Sequence, residues 1–384
     1  MGDFESFCIG LLTGFVSGFF PGLHPNMIIP ILSSLGIDDR TLAILIISLY
    51  PANLISSFIP SIFFGVPDGR TVVTILPGQR MVLEGKGLNA LKVVLFSSIV
   101  TALLAVGVLY FSLDFFSWAY EVIRKEMSWI LLAIVILLLA RGKKPHFSAF
   151  VFILSGLLGK FSLGSDMVDP FLPLFSGMFT IAAILNYRRS NVPKQDDEKI
   201  EFDFGKFIII GIVLGMLADL IPGIGSPAQM ATFATIFLPI NTLGYLATIS
   251  SISVSQAIFS LATSASIGKS RVGAMIWLAE SIDIGKNLPF LIGLFILSMA
   301  ISIGGVYLIR KQAAGLAGWD FSKMNIILSL YLFAITFVID GWFGLGVLII
   351  SAVLGWLTIK LGVERTMLMG SIIIPTLLLL FRIF

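Results

Sequence analysis

Residues 206–229 read KFIIIGIVLGMLADLIPGIGSPAQ, and between Lys206 and Lys269 the single charged residue is Asp219. That run far exceeds the roughly 18 apolar residues that mark a membrane span. It is apolar on every side, which fits a helix; a strand of a membrane barrel would alternate apolar and polar residues. Uncharged runs of the same kind lie between Glu5 and Asp38, Arg40 and Asp68, Lys92 and Asp114, and Lys286 and Arg310. Of the 384 residues, 57% are hydrophobic and 12% charged, against about 25% charged in soluble domains. Mean hydropathy is +1.01. The expected fold is an all-α, multi-pass protein of the cytoplasmic membrane, in contact with membrane lipids.

Several functions drop out on composition. A formal net charge of +3, with no basic block, gives nucleic acid no footprint. Cys8 is the lone cysteine and His24 and His146 are the two histidines, so no disulfide framework or common zinc motif is expected. Asp3 and Glu5 stand where a signal peptide carries lysines, so no cleaved leader is expected. No cofactor is predicted beyond Na⁺ or H⁺ as a coupling ion.

Apolar segments are read at 4–20, 27–36, 41–60, 88–111, 127–141, 146–160 and 165–187, then at 206–221, 224–238, 242–264, 288–310, 322–340, 341–359 and 366–383. Residues 188–205, RRSNVPKQDDEKIEFDFG, separate the two series as the one long polar stretch. The division is therefore repeat one at 1–187, a cytoplasmic linker at 188–205, and repeat two at 206–384. A shift of 201 positions aligns Gly10 with Gly211, Gly14 with Gly215, Pro21 with Pro222, Gly22 with Gly223 and Arg70 with Arg271. Internal symmetry of this kind marks repeat-built secondary transporters. The basic groups Arg141/Lys143/Lys144, Arg188/Arg189, Arg310/Lys311 and Lys360/Arg365 all face the cytoplasm if both Pro-Gly segments are re-entrant hairpins. The repeats are then inverted, with both termini outside.

Proline and glycine break each hairpin, around Pro21-Gly22 and around Pro222-Gly223. The half-helices that follow, from near Pro25 and Pro227, present free N–H groups and the positive ends of their dipoles. Two such ends make a midplane site for an anion. Its expected ligands are Gly22, His24 and Asn26 in the first hairpin and Gly223, Gly225, Ser226 and Gln229 in the second. Asp219, a lone carboxylate in an apolar run, is expected either to carry the coupling proton or Na⁺, or to cap and pair structurally. Residues 51–70 and 250–271 read as polar loops whose Asn53, Ser57, Gln256 and Ser260 line a path, unless they bond back to their own helices. Arg70, Lys269 and Arg271 would meet an anion there, arginine through its bidentate fork.

The stretches Gly65-Val-Pro-Asp-Gly69, Leu76-Pro-Gly-Gln-Arg-Met81 and Glu84-Gly-Lys-Gly-Leu-Asn-Ala-Leu91, after a Gly-rich helix and a Pro-Gly-Leu break, carry a family pattern. The chain resembles the large membrane subunit of tripartite tricarboxylate transporters, the TctA family, best over 10–100 and more weakly over 211–290. It departs in being shorter, in having His24 for a usual Gly, and in having Asp68 where a Gly would stand. It resembles a stand-alone, archaeal-type branch. The resemblance implies secondary uptake of carboxylates with a binding protein and a small membrane subunit. The hairpins also resemble those of undecaprenyl-phosphate translocases.

The reading is therefore a secondary transporter of an anionic, carboxylate-type solute, working by alternating access with Na⁺ or H⁺, and not an enzyme. The alternative keeps the architecture and moves a polyprenyl-phosphate lipid, its phosphate held at the same hairpins. A minor alternative is an intramembrane hydrolase with Ser226 as nucleophile and His24 as base. Homo-oligomerisation is left open.

Overall fold

A computed structural model describes residues 1–20, 23–64, 75–141, 144–186, 192–200, 202–220, 227, 230, 241–270, 272–317 and 322–382. Among the described residues there are helices and no strands. The helices are α1 (Asp3–Ser17), α2 (Pro25–Ser34), α3 (Asp39–Ser56), α4 (Ile75–Leu83), α5 (Gly87–Arg141), α6 (Pro145–Leu163), α7 (Phe171–Leu185), α8 (Gly205–Ala218), α9 (Thr242–Ile267), α10 (Gly273–Ser281), α11 (Ile284–Leu316), α12 (Ser322–Leu361) and α13 (Gly370–Leu380). A π-helical turn, Pro60–Phe64, prolongs the α3 path, and another, Ser176–Ile181, lies inside α7. Six of the described helices are long and apolar enough to cross a membrane. The chain forms two compact units.

The first unit comprises 1–124 with the described parts of 191–220 and 225–318. Lipid gives helices no hydrophobic reason to associate, so close backbone packing through small residues holds them. Glycines recur every fourth residue at Gly10 and Gly14 on α1 and at Gly211 and Gly215 on α8. A Cβ on Gly10 would lie 2.5 Å from the Leu45 carbonyl oxygen, and one on Gly14 would lie 2.1 Å from that of Leu49. Both glycines therefore seat α1 against α3. On α8, a Cβ on Gly211 would lie 2.7 Å from the Thr248 carbonyl oxygen and one on Gly215 would lie 2.8 Å from that of Ile252, both on α9. The stretches Thr41–Ser56 of α3 and Leu246–Thr263 of α9 are buried.

Directions follow from the contacts. Arg40, at the start of α3, forms a bidentate pair with Asp3, at the start of α1. Hence α1 and α3 run parallel, and the intervening α2 returns the chain to the end from which it came. Phe207 touches Gly244, so α8 and α9 also start together. Arg40 lies over Phe290, near the start of α11, whereas Arg310, near its end, bonds Asp197 just ahead of α8. The α1/α3 and α8/α9 pairs thus start from opposite ends of this unit.

Residues 194–198 lie across that second end. The Gln195 side chain donates to the Val82 carbonyl (2.9 Å) and accepts from the Gly87 N–H (2.8 Å), which satisfies orphan groups at the end of α4 and the start of α5. The Asp196 N–H donates to the Gly85 carbonyl, and Asp197 is paired with Lys92, Arg310 and Lys311. The hydrogen bond from Lys92, then burial opposed by these cations, leaves the Asp197 carboxyl below its ordinary range. A lowered carboxylate pKa stabilises above its unfolded value of about 3.9 and ceases to do so as pH falls through the folded value. The strap should hold at neutral pH and loosen in acid. A Gln195→Ala, Asp197→Asn variant should lower the local opening free energy by about 1–3 kcal/mol. Limited proteolysis within 192–200 should then run about 5–150-fold faster, where cleavage follows the opening equilibrium; an unchanged rate would show that these contacts do not hold the segment.

The second unit comprises 125–186 and 322–382 within the described residues. A Cβ on Gly159 of α6 would lie 1.9 Å from the Ser371 carbonyl oxygen of α13, and one on Gly355 of α12 would lie 2.1 Å from that of Met178 in α7. Gly341, at φ 63°, breaks α12 into two arms, where the sequence divides 322–340 from 341–359. Lys144 donates to the Leu361 carbonyl, and the Asp169 N–H donates to Asp340.

Two expectations fail. The segments 88–111 and 127–141 are one continuous helix of 55 residues, because 112–126 contain charges but no Gly or Pro to end it. The described parts of the expected polar loops at 51–70 and 250–271 are largely helical: α3 with its π turn reaches Phe64, and α9 reaches Ile267, while 65–70 and 271 lie outside the described residues. Their hydroxyls bond back to carbonyls of their own helices, as Ser56 does to Ala52 and Ser253 to Ile249.

Candidate functional site

Two polar centres stand inside the first unit, one from each half of the chain. Asp219 caps the C-terminus of α8, is 4% exposed, and faces a single stripe of α9. Gln256 Nε2 donates to its Oδ1 at 3.3 Å, Thr263 Oγ1 to its Oδ2 at 2.9 Å, and Ser260 Oγ also to Oδ2. Positions 256, 260 and 263 fall on one helix face. A helix C-terminus carries the negative end of the dipole and disfavours an anion, and burial adds a cost of several kcal/mol. These three donors are neutral, and their hydrogen bonds stabilise the charged form. The arrangement suits a carboxylate that takes up a proton or a hard cation among oxygen ligands.

The second centre is the start of α2. His24 is the N-cap, and its Nδ1 accepts the Asn26 N–H at 3.2 Å, while Pro25 occupies the first helical position, where no N–H is needed. The start of α10 comes to the same place: a Cβ on Gly273 would lie 2.6 Å from Asn26 Oδ1. Two helix N-termini from different halves therefore adjoin, a geometry that favours an anion.

Asn53, expected to be a ligand, is 1% exposed and donates to Ser17 Oγ (2.9 Å) and the Leu23 carbonyl (3.3 Å). Ser57 donates to the Leu54 carbonyl of its own helix. Gln256 and Ser260 both donate to Asp219. Lys269 is exposed and donates to Tyr120 Oη at 2.7 Å, its ammonium over that ring. Gly22, Arg70, Gly223, Gly225, Ser226, Gln229 and Arg271 lie outside the described residues. The sequence reading missed Gly273, whose partner is distant in the chain, and Ser17, although its proximity to the Gly14–Gly18 seam is a local signal.

A helical, multi-pass protein of the cytoplasmic membrane with an anion-favouring pair of helix starts and a buried carboxylate belongs among solute transporters. The match runs over residues 6–370, and the chain belongs to the Tripartite tricarboxylate transporter TctA family. That is a family of transporters, not of enzymes, whose members are membrane subunits acting on anionic solutes, typically with partner proteins. The chain is also 27% identical over 399 aligned residues to an uncharacterized protein, MJ1079, of Methanocaldococcus jannaschii, the alignment covering 97% of this chain and 98% of that one. No solved structure matches.

Proposed function

We propose that this protein moves a carboxylate-type anion by alternating access, coupled to Na⁺ or H⁺ at Asp219. The observation that carries the proposal is the buried Asp219 carboxylate held by Gln256, Ser260 and Thr263, in the same unit as the adjoining starts of α2 and α10. One centre suits a cation and the other an anion, as coupled uptake requires. In this reading the anion is met by Asn26 and His24, with Arg70, Lys269 and Arg271 as candidate cationic ligands and Gly22, Gly223, Gly225, Ser226 and Gln229 completing the hairpins. The opposite starting ends of α1/α3 and α8/α9 support inverted repeats divided at the polar linker, and a site between inverted halves suits alternating access.

The test is thermal stability of the purified protein with citrate, smaller carboxylates, inorganic phosphate or polyprenyl phosphate, with and without Na⁺ and across pH. A ligand at one hundred times its Kd adds about 2.7 kcal/mol to a state that alone binds it. The expected result is stabilisation by a soluble carboxylate that grows with Na⁺ or with acid. Stabilisation by polyprenyl phosphate alone would overturn the proposal in favour of a lipid carrier.

A further inference from the structure

Asn53 lies on α3, two residues after Pro51, and its carboxamide faces the first hairpin. A carboxamide has two N–H donors. In Asn53 one goes to Ser17 Oγ, in the last turn of α1, and the other to the carbonyl of Leu23, the residue before the α2 cap. Both donors are thereby committed within the protein, and a side chain whose N–H groups are committed has none to offer an anion. What it does instead is join the two arms of the hairpin, α1 on one side and the approach to His24 on the other. In the second half of the chain, Gln256 on α9 likewise donates to a residue at the end of the preceding helix, Asp219 of α8.

We propose that Asn53 is a positioning residue: by holding the Leu23 carbonyl it fixes the start of α2, His24 to Asn26, against Gly273 of α10. It acts on the anion through that placement and without touching it. The inference deepens the proposed function and rests on it where affinity is concerned; the placement itself is testable with no ligand.

Asn26 and Gly273 supply the placement readout. A Cβ at 273 falls 2.8 Å from Asn26 Cγ, so paired cysteines replacing the two residues come within the Cβ separation of about 3.5–4.5 Å that a disulfide needs. In a Cys8→Ser background, Asn26→Cys with Gly273→Cys should cross-link readily under mild oxidation. Adding Asn53→Ala should slow the cross-link about tenfold, and Asn53→Ser, which keeps a small polar side chain able to bond its own helix, should do the same. Ser17→Ala, which leaves the Leu23 bond in place, should cross-link at the parent rate.

Separately, with Asn26 and Gly273 intact, citrate should bind the Asn53→Ala protein about tenfold more weakly, while the maximal uptake rate stays within about twofold. A role confined to stability would lower the melting temperature and move neither readout. Parent-rate cross-linking in both Asn53 variants would overturn the positioning role. Slowed cross-linking in a protein whose parent shows no carboxylate binding would uphold the positioning role and defeat the anion reading instead.

Discussion

Asp219→Asn should leave the protein folded and make its affinity for the transported anion indifferent to Na⁺ and to pH. Asparagine matches aspartate in shape, and the hydroxyls of Ser260 and Thr263 can rotate to meet an amide, so the contacts with α9 survive in altered sense. What disappears is the charge. In the parent protein that charge stands 4% exposed at the C-terminal end of α8, opposed by the helix dipole and by burial. Binding of a proton or cation removes the opposition, and the free energy released is available to bias the state that holds the anion. Coupling energies of about 1–3 kcal/mol correspond to about 5–150-fold in affinity. Citrate binding titrated across Na⁺ concentration and pH should show a dependence of that size in the parent and a flat line in Asp219→Asn. A variant with the parent's full cation dependence would leave Asp219 as a structural cap and move the coupling site elsewhere.

How far the sequence reaches is set by which interactions are local. The helical, membrane-spanning character needs only the charge spacing, because no soluble chain leaves such runs uncharged. The packing seams were legible too: Gly10, Gly14 and Gly18, and Gly211, Gly215 and Asp219, recur every fourth residue, and the first two of each set meet α3 or α9 backbone. The polar stretches carried two readings, and Ser56 and Ser253 follow the one in which a hydroxyl on a helix satisfies itself one turn back, adding polarity without ending the helix. The charged stretch at 112–126 misled: charge suggests a loop, but a helix ends where backbone geometry or capping ends it, and that stretch supplies neither. Asp219 was legible as a residue and not as a site, since its partners lie 37, 41 and 44 positions away on α9. The approach of Asn26 to Gly273 joins opposite halves of the chain, and no spacing rule within either half anticipates it. Asn53 shows the remaining gap, because a buried carboxamide looks the same in sequence whether its N–H groups face a ligand or a neighbouring backbone.

Alanine should change sign as a glycine substitution from one helix to another. In an open helical position Gly→Ala stabilises by up to about 1 kcal/mol, because glycine loses more backbone entropy on folding. Gly107 of α5 and Gly304 of α11 are such positions, with no atom within 4 Å of an added Cβ. Gly14 and Gly159 are the reverse. Their added Cβ atoms would meet the carbonyl oxygens of Leu49 at 2.1 Å and Ser371 at 1.9 Å, and backbone, unlike the end of a flexible side chain, cannot swing aside. Overpacking typically costs about 1–3 kcal/mol and occasionally more, and with backbone as the obstacle both sites belong at the upper end. Gly14→Ala and Gly159→Ala should therefore melt well below the parent protein in detergent, each reporting on its own unit, while Gly107→Ala and Gly304→Ala melt at or slightly above it. The Gly14 variant carries a functional consequence as well: α1 can relieve the clash only by moving off α3, and the hairpin that Asn53 ties to α3 moves with it. Its anion affinity should fall along with its stability, whereas Gly159→Ala should lose stability with affinity unchanged. Equal melting of Gly14→Ala and Gly107→Ala would show that α1 and α3 do not meet along the glycine seam.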